Sequence, residues 1–400
     1  MNPQSAILNL QYQKGVKKMP KKIVVTGGAG FIGSHLVDAL IQRGHRVRVL
    51  DNLDSQVHGT STAGKPLHLH PQAEFIYGDV LNEADVKRAI DGMEIIFHEA
   101  AVVGIGQSMY QIARYVMANT LGTAQLMDVL VNHKNRIQKV IVAASMSSYG
   151  EGAYECEVCG VVYPPPRPET QMARGDWEVH CPQCETRAQR APTPIPTPED
   201  KPQQVHSIYA LTKKNQEEIA LMIGKTYRLP VVALRYFNVY GPRQSLSNPY
   251  TGVAAIFMSR IKNGHSPVIY EDGLQTRDFV SVHDIVKANI LAMERDEADY
   301  QVFNVGSGIP VTIREVAEVL ALRYAINPGE VIQPQITNHF RKGDVRHCYA
   351  DISKIRKRLG FSADVSFERG MMELVRWAES APAEDKFELA TQELKAKGLF

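Results

Sequence analysis

Two side chains four positions apart, Tyr209 and Lys213 in the stretch SIYALTKKNQEE, are the first candidates for chemistry. On a helix, both would project from the same face. The phenol of a free tyrosine has a pKa near ~10, which is too high for a base at neutral pH. A neighbouring ammonium group favours the phenolate and moves the pKa toward working pH. The pair is therefore either a base with its tuning charge or the polar edge of an ordinary helix, and the spacing alone does not decide.

A glycine-rich stretch, VVTGGAGFIGSHL, supplies Gly27, Gly30 and Gly33. The β-branched run KIVVT precedes it and a helical pattern follows it, so this turn would join a strand to a helix. Free N–H groups at a helix N-terminus bind phosphate, and glycine lets the backbone approach a pyrophosphate. The next strand ends in Asp51, 18 residues past Gly33, where an acid binds a ribose 2′-hydroxyl. Because a carboxylate repels a 2′-phosphate, we expect NAD rather than NADP.

Four of the five cysteines form two C-x-x-C pairs, Cys156 with Cys159 and Cys181 with Cys184. Four thiolates at such a spacing suit tetrahedral zinc, and the set leaves no open position for catalysis. The surrounding segment, 151–202, is rich in proline and arginine and predicts few core helices or strands. We therefore predict a zinc-ribbon-like insertion with structural zinc; disulfides and unpaired thiols are the alternatives.

The remaining elements alternate between strand and helix. Strands are predicted at 22–26, 46–51, 74–80, 94–101, 139–145 and 231–241, and helices at 111–133, 209–227 and 252–263. This order indicates α/β architecture: a Rossmann-type doubly wound parallel sheet with a smaller C-terminal α/β substrate domain. The predicted domains are a disordered leader (1–20), an NAD-binding Rossmann domain (21–150 and 203–241), the four-cysteine insertion (151–202) and a mainly substrate-binding C-terminal domain (242–400).

The motifs TGGAGFIG, AASMSSYG, YALTK and RDFVSVHD, in this order, resemble the extended short-chain dehydrogenase/reductase family, and within it the nucleotide-sugar epimerases. The resemblance implies that Tyr209 is the base, that Lys213 tunes it and binds the nicotinamide ribose, and that Ser145 orients the sugar oxygen. Ordinary members lack the cysteine insertion. The subset that carries it is associated with dTDP-L-rhamnose 4-epimerases.

The resemblance also assigns binding residues. The implied NAD-binding residues are Gly27, Gly30, Phe31, Ile32, Gly33, Asp51, Asn52, Asp79, Val80, Ala100, Ala101, Asn119, Tyr209, Lys213 and Tyr236. The implied substrate-binding residues are Ser145, Asn238, Arg277, Arg341, Asp344 and Cys348. The two arginines suit two phosphates because guanidinium binds oxygens bidentately. Cys348 stands where relatives place a residue that limits sugar size, and a buried inert thiol is the alternative there.

Two positions bear on the reaction. Dehydratases of the family carry an Asp-Glu pair after the catalytic hydroxyl residue, and decarboxylases usually a glutamate at the second of these positions; here Met146 and Ser147 stand there. We therefore predict 4-epimerisation through a transient 4-keto sugar, of UDP-glucose/galactose or dTDP-L-rhamnose type. A dehydratase, decarboxylase or reductase is the enzymatic alternative. An NAD-containing binding module with a zinc-ribbon partner site is the non-enzymatic one.

Composition limits the partners. The 400 residues carry 45 basic and 43 acidic side chains, a formal net charge of +2 that gives no nucleic-acid footprint. No run of about 18 apolar residues is present, so no membrane span is expected. The leader lacks the features of a secretion signal, Met19 is an alternative start, and we expect a cytoplasmic protein. By resemblance, a homodimer should form through the helices at 111–133 and 209–227.

Overall fold

Seven parallel strands form the central sheet of the protein. The computed structural model describes residues 19–59, 64–184, 190–325 and 331–399; most of the predicted leader lies outside these ranges. The strands are β1 (Lys22–Thr26), β2 (Arg46–Asp51), β3 (Glu74–Tyr77), β4 (Ile95–His98), β5 (Lys139–Ser145), β6 (Ala153–Cys156), β7 (Gly160–Val162), β8 (Thr193–Ile195), β9 (Val231–Tyr236), β10 (Asn238–Tyr240), β11 (Val268–Ile269), β12 (Thr276–Ser281), β13 (Val302–Val305), β14 (Pro310–Thr312), β15 (Gln335–Ile336) and β16 (His347–Cys348).

Helices cover both faces of this sheet. They are α1 (Phe31–Gln42), α2 (Ser55–His58), α3 (Glu83–Ile90), α4 (Ile105–Ser108), α5 (Ile112–Tyr115), α6 (Gly122–Asn132), α7 (Glu169–Met172), α8 (Ile208–Tyr227), α9 (Val253–Lys262), α10 (Val282–Glu294), α11 (Ile313–Tyr324), α12 (Ser353–Leu359), α13 (Phe367–Ser380) and α14 (Phe387–Ala396). A π-helical turn, Val116–Leu121, joins α5 to α6, and short 3-10 helices span Met146–Tyr149 and Asp296–Ala298.

The central sheet has the strand order β13-β9-β5-β4-β1-β2-β3. One apolar core packs α1 and α10 on one face, and a second packs α3, α6 and α8 on the other. Both faces are thus covered, which explains the continuous apolar runs of the strands and confirms the predicted doubly wound sheet. The strand order reverses between β1 and β4, and ligands bind at the carboxyl ends of the strands at such a point.

A smaller sheet carries the C-terminal part. Here β10, β12 and β14 lie side by side and β16 pairs with β12, over a core that includes α9, α11 and α13. The strand predicted over 231–241 is interrupted at Phe237: β9 belongs to the central sheet, whereas β10 pairs with β12. One continuous apolar run therefore crosses from one sheet to the other, and this crossing places the second sheet above the carboxyl ends of the first.

The insertion has more order than its composition predicts. Strands β7, β6 and β8 form a three-stranded antiparallel sheet. In the sequence, α7 lies between β7 and β8. Its core consists of Tyr154, Val162 and Val179 together with the cysteines. In the part of the chain that the structure describes, no helix combines the length and apolar character needed to cross a bilayer.

Candidate active site

A cavity of about 880 Å³ lies between the carboxyl ends of the central strands and the loops of the C-terminal part. It brings together most of the residues singled out from the sequence. Those that line it are Gly27, Gly30, Phe31, Ile32, Gly33, Asp51, Asn52, Asp79, Val80, Ala100, Ala101, Ser145, Tyr209, Lys213, Tyr236, Asn238, Arg277, Arg341 and Asp344. Asn119 and Cys348 are not among its lining residues.

The glycine-rich turn fits a pyrophosphate. Helix α1 begins after Gly30, whose backbone caps it without any side-chain hydrogen bond, and its first turn carries no acidic residue. The positive end of the helix therefore lies at the cavity with no acidic side chain in the first turn of the helix itself. A Cβ on Gly33 would lie 2.3 Å from the Gly27 carbonyl oxygen, so that position requires glycine for packing. A Cβ on Gly30 would meet only the Gly27 oxygen, at 3.3 Å, and otherwise open space at the cavity wall.

The acids expected at the adenosine end are held by backbone contacts. The Asp51 carboxylate accepts hydrogen bonds from Ala29 N, at 3.0 Å, and Leu53 N, at 2.9 Å. Asp79 accepts one from Leu81 N at 2.9 Å and one from the Asn52 amide, also at 2.9 Å. These bonds fix carboxylate oxygens at the wall of the cavity. Such oxygens can accept hydrogen bonds from a ribose hydroxyl or from the amino group of adenine.

Ser145, Tyr209 and Lys213 converge because strand β5 ends beside the first turns of α8. Ser145 is the last residue of β5, and its Oγ accepts a hydrogen bond from the Ser147 hydroxyl at 2.9 Å. Ser207 caps α8 by accepting from Ala210 N at 3.1 Å, which sets the helix start. Lys213 lies one turn after Tyr209, and its ammonium donates to the Ala143 carbonyl at 2.8 Å.

The pKa of Tyr209 is not shifted in the way that its spacing from Lys213 led us to expect. Burial raises the pKa of Tyr209, and the hydrogen bond with Ser145 opposes this rise. The causes of this shift do not include the Lys213 charge; the Lys213 ammonium donates to the Ala143 carbonyl and interacts with Glu99. Burial lowers the pKa of Lys213 to about 8, while Glu99 raises it. Ionisation of Tyr209 therefore needs a further positive charge, such as that of oxidised nicotinamide.

Glu99 is a site residue that the sequence reasoning missed. It lines the cavity directly after β4, and the Tyr236 hydroxyl donates to its carboxylate at 2.8 Å. The Asn289 amide donates in turn to the Tyr236 oxygen at 2.7 Å. Burial raises the pKa of Glu99 to about 7, opposed by the Tyr236 hydrogen bond and the Lys213 charge. An acid in the motif FHEAA, directly before the expected Ala100, was the available signal.

Two predicted residues lie elsewhere. Asn119 is buried in the π-helical turn, where its side chain bonds both backbone groups of Val102, at 2.8 and 3.0 Å. It shapes the loop beside Ala101 rather than facing the cavity. Cys348 is buried, with its sulfur 3.8 Å from the Thr197 hydroxyl of the insertion, and burial raises its pKa to about 12. This placement fits the inert thiol and gives the size-limiting role no support.

The substrate side of the cavity carries two arginines. The Arg277 guanidinium donates to the carbonyl oxygens of Val345, at 2.5 Å, and Arg346, at 3.1 Å. The Arg341 guanidinium pairs with Asp344 at 2.9 Å and lies 5.0 Å from the centre of the Tyr270 ring. Asn238 Oδ1 is buried without a hydrogen-bond partner. An unpartnered polar atom on a cavity wall is expected where a ligand completes the site.

The four insertion cysteines form one cluster. Their sulfur atoms all lie within 4.8 Å of one another, and those of Cys156 and Cys184 are 3.6 Å apart. A tetrahedral zinc with bonds of about 2.3 Å would set its sulfurs about 3.8 Å apart, whereas a disulfide would need about 2.0 Å. The donor set and its geometry therefore fit zinc. None of the described residues in 151–202 lines the cavity.

Two family models match the sequence. One, described as the NAD dependent epimerase/dehydratase family, matches residues 23–170, and one described as GDP-mannose 4,6 dehydratase matches residues 191–374. A dTDP-L-rhamnose 4-epimerase from Burkholderia thailandensis is 36% identical over 359 residues, which cover 89% of this chain and 94% of that protein.

Solved structures are similar over the same extent. The UDP-glucose 4-epimerase of Thermotoga maritima, solved with UDP-glucose, is 31% identical with a TM-score of 0.71, covering 90% of this chain and 98% of that one. The UDP-glucose 4-epimerase of Thermus thermophilus, solved with NAD, is 27% identical with a TM-score of 0.70 and covers 90% of this chain and all of that one.

Proposed function

Since the chain belongs to the NAD-dependent epimerase/dehydratase family, we propose that it is an isomerase that inverts C4 of a nucleotide-diphosphate sugar with NAD. The observation that carries the proposal is the convergence of Ser145, Tyr209 and Lys213 on a cavity that also holds the glycine-rich turn. Relatives named for 4-epimerisation of dTDP- and UDP-linked sugars match nearly the full chain.

The three side chains have distinct roles in this reaction. Tyr209 takes the proton of the sugar 4-hydroxyl and later returns it, while the Ser145 hydroxyl holds the same oxygen through a hydrogen bond. Lys213 binds the nicotinamide ribose and keeps a positive charge near the phenol. Bound NAD supplies the acceptor and donor for the hydride of C4. Rotation of the 4-keto sugar between the two transfers gives the epimer.

The absence of two acids favours epimerisation over elimination of water. Met146 and Ser147 line the cavity where dehydratases of the family carry their carboxylates. Glu99, the acid that follows β4 on the cavity wall, accepts a hydrogen bond from the Tyr236 hydroxyl and does not follow Ser145 in the chain. Dehydratase, decarboxylase and reductase activities remain the alternatives; release of CO2 identifies a decarboxylase, and net consumption of NADH identifies a reductase.

The substrate is a dTDP- or UDP-linked hexose. Arg277 and Arg341 supply the positive charge for the diphosphate, and the unpartnered Asn238 oxygen lines the same cavity. The named activities of the relatives support both nucleotides. NMR of the purified protein with a panel of dTDP- and UDP-sugars tests the proposal by following inversion at C4. Unchanged turnover in Tyr209→Phe would contradict the role of Tyr209, and binding of NAD without inversion of any sugar would favour the binding module.

Structural zinc and a homodimer complete the proposal. Zinc is supported by the cysteine geometry. The dimer is supported by apolar side chains that are about half exposed or more on the predicted helices, among them Ile112, Met117, Leu121 and Met222. Such an unpartnered apolar face is typical of a protein–protein interface. The cytoplasmic location stays a prediction.

A further inference from the structure

The insertion contacts a loop of the cavity wall without lining the cavity itself. We call residues 339–346, which include Arg341 and Asp344, the substrate loop. From the insertion, Trp177 packs on Phe340 with ring centres 6.4 Å apart, and the Arg167 guanidinium donates to the Asp344 carbonyl at 3.0 Å. The insertion therefore contacts the substrate loop directly, although none of its described residues lines the cavity.

A buried ion cluster joins the insertion to this wall. Arg167 forms two hydrogen bonds to the Glu271 carboxylate, of 2.9 and 2.8 Å, and Arg346 donates to the same carboxylate at 3.0 Å. The side chains of Arg167, Glu271 and Arg346 are at most 2% exposed. Removal of one partner from such a cluster leaves an uncompensated buried charge, which is strongly unfavourable. The cluster therefore fixes the insertion, Glu271 and the end of the substrate loop relative to one another.

Glu271 connects the buried ion cluster to the substrate loop and to the cavity wall. Its backbone has φ of 55°, an unfavourable value for a residue with a side chain, and its N–H donates to the His339 carbonyl at 2.7 Å. The preceding residue, Tyr270, is the ring over which Arg341 lies. At the end of the substrate loop, Arg277 donates to the carbonyl oxygens of Val345 and Arg346. Both arginines expected to bind the diphosphate thus depend on the position of this loop.

Residues packed against the cysteine cluster also make hydrogen bonds that reach the end of the substrate loop. Tyr154, packed among the cysteines, donates to the Glu151 carboxylate at 2.6 Å. That carboxylate accepts the backbone N–H groups of Arg346 and His347, both at 2.8 Å. Glu178, next to Val179 of the same core, pairs with the Arg346 guanidinium at 2.6 Å. The insertion core, which the metal would hold together, is therefore hydrogen-bonded to Arg346 of the substrate loop through Glu151 and Glu178.

We propose that the four-cysteine insertion is a positioning element for the diphosphate site, with Arg167 as the residue that holds Glu271 and the substrate loop in place. The inference rests on the proposed function, because it assigns the diphosphate to Arg277 and Arg341. Arg167 does not reach the substrate itself, so its loss should raise KM more than it lowers kcat. The cofactor site, formed by the glycine-rich turn, should not respond.

The test compares Arg167→Met with Glu169→Gln in the full-length protein. Glu169 makes the exposed ion pair with Lys342 across the same interface, and such pairs contribute little. Titration calorimetry measures the Kd of UDP, of dTDP and of NAD, and hydrogen exchange measures the amides of 339–346 and 27–33. For Arg167→Met, we expect nucleotide Kd to rise roughly tenfold and the loop amides to exchange faster, with NAD affinity unchanged.

The outcomes separate this proposal from the proposed function. Equal loop exchange and equal nucleotide Kd in Arg167→Met and Glu169→Gln would overturn it. Should Arg167→Met not fold, Glu178→Gln removes a half-exposed partner of Arg346 and is judged by the same loop exchange. A protein that loosens the loop as expected but inverts no sugar would refute 4-epimerisation and leave the positioning role in place.

Discussion

The Tyr236 hydroxyl donates a 2.8 Å hydrogen bond to the Glu99 carboxylate, on the cavity wall beside the lysine that the proposed mechanism uses. Burial lowers the pKa of Lys213 to about 8, and the charge of Glu99 is what raises it. Because burial raises the pKa of Glu99 itself to about 7, this carboxylate is charged only from neutral pH upward. The two groups together define the pH range in which Lys213 stays protonated beside an ionised acid.

Glu99→Gln should move the alkaline limit of activity to lower pH. Without the carboxylate, Lys213 loses its proton below the pKa of about 8 that it has in the intact protein. The measurement is kcat/KM against pH from about 6 to 10, which reports the ionisations of the free enzyme. Glu94→Gln, at the other end of β4, is the control and should leave the profile unchanged. A profile of Glu99→Gln that overlays the wild type would contradict the assignment.

The same two groups should affect stability with opposite signs. The raised pKa of Glu99 means that the folded state holds an extra proton between about pH 4.5 and 7, so this contribution falls as pH rises there. The lowered pKa of Lys213 means that the unfolded state holds the extra proton between about pH 8 and 10.5, so that contribution rises with pH. The free energy of unfolding in urea should therefore change with pH differently in wild type and Glu99→Gln between about pH 4.5 and 7, and again just below pH 8, where Lys213 loses its proton in the folded variant alone.

Ser145→Ala should lower kcat by roughly a hundredfold, because the hydroxyl that holds the sugar oxygen and hydrogen-bonds Tyr209 is lost. Ser147→Ala should have a smaller effect, since Ser147 only donates to Ser145 Oγ, at 2.9 Å, and thereby orients it. Ser148→Ala is the control: its hydroxyl donates to the Ser145 carbonyl away from the reacting atoms. Equal kcat losses in all three variants would indicate a disturbed loop instead of a specific role for Ser145.

The glycine-rich turn could be predicted from sequence because its geometry is local. Strand, turn, helix start and the acid at Asp51 follow one another, and the structure has them at those positions. Tyr209 and Lys213 stand in the first turns of one helix, as their spacing predicts, but their role follows only from the resemblance that the four motifs carry together. The domain boundaries and the binding roles of individual residues stay predictions, although the cavity collects nearly all of those residues.

Contacts between residues far apart in the sequence could not be predicted from local patterns. Arg167 and Glu271 are 104 positions apart, and neither is marked by its neighbours as a member of an ion cluster. The run VVALRYFNVY reads as one strand, and only its pairing with β12 shows that it changes sheets at Phe237. The contact between the insertion and the substrate loop is of the same kind, because no local sequence pattern indicates it.

Gly30→Ala and Gly33→Ala should separate cofactor binding from folding. Gly33→Ala should destabilise the fold, because its Cβ would lie 2.3 Å from the Gly27 oxygen. Gly30→Ala should fold, because its Cβ meets one atom at 3.3 Å, but it should bind NAD at least about tenfold more weakly by occupying the approach to the backbone. Thermal unfolding and NAD titration measure the two effects. Wild-type NAD affinity in Gly30→Ala would show that the pyrophosphate does not contact this turn.

Cys181→Ser should remove bound zinc and loosen the insertion. Its sulfur is one of the four that lie within 4.8 Å of one another, and a cluster of three leaves the metal site incomplete. Elemental analysis should find one zinc per wild-type chain, and limited proteolysis should cut the variant within 151–202. Cys348→Ala is the matched control, because its buried thiol is outside the cluster. Cys348→Ala should keep its zinc, and absence of zinc from the wild type would contradict the prediction.

Met117→Glu and Leu121→Glu should each convert the proposed dimer to monomers. These side chains are 48% and 49% exposed on the segment that packs beside α8, so a charge there would be buried only in the dimer. Burial of an unpaired carboxylate costs more than a typical interface residue contributes. Leu322→Glu, on α11 and 60% exposed, provides the control because it lies on none of these helices. Sedimentation equilibrium measures the mass, and dimers of both variants would place the interface elsewhere.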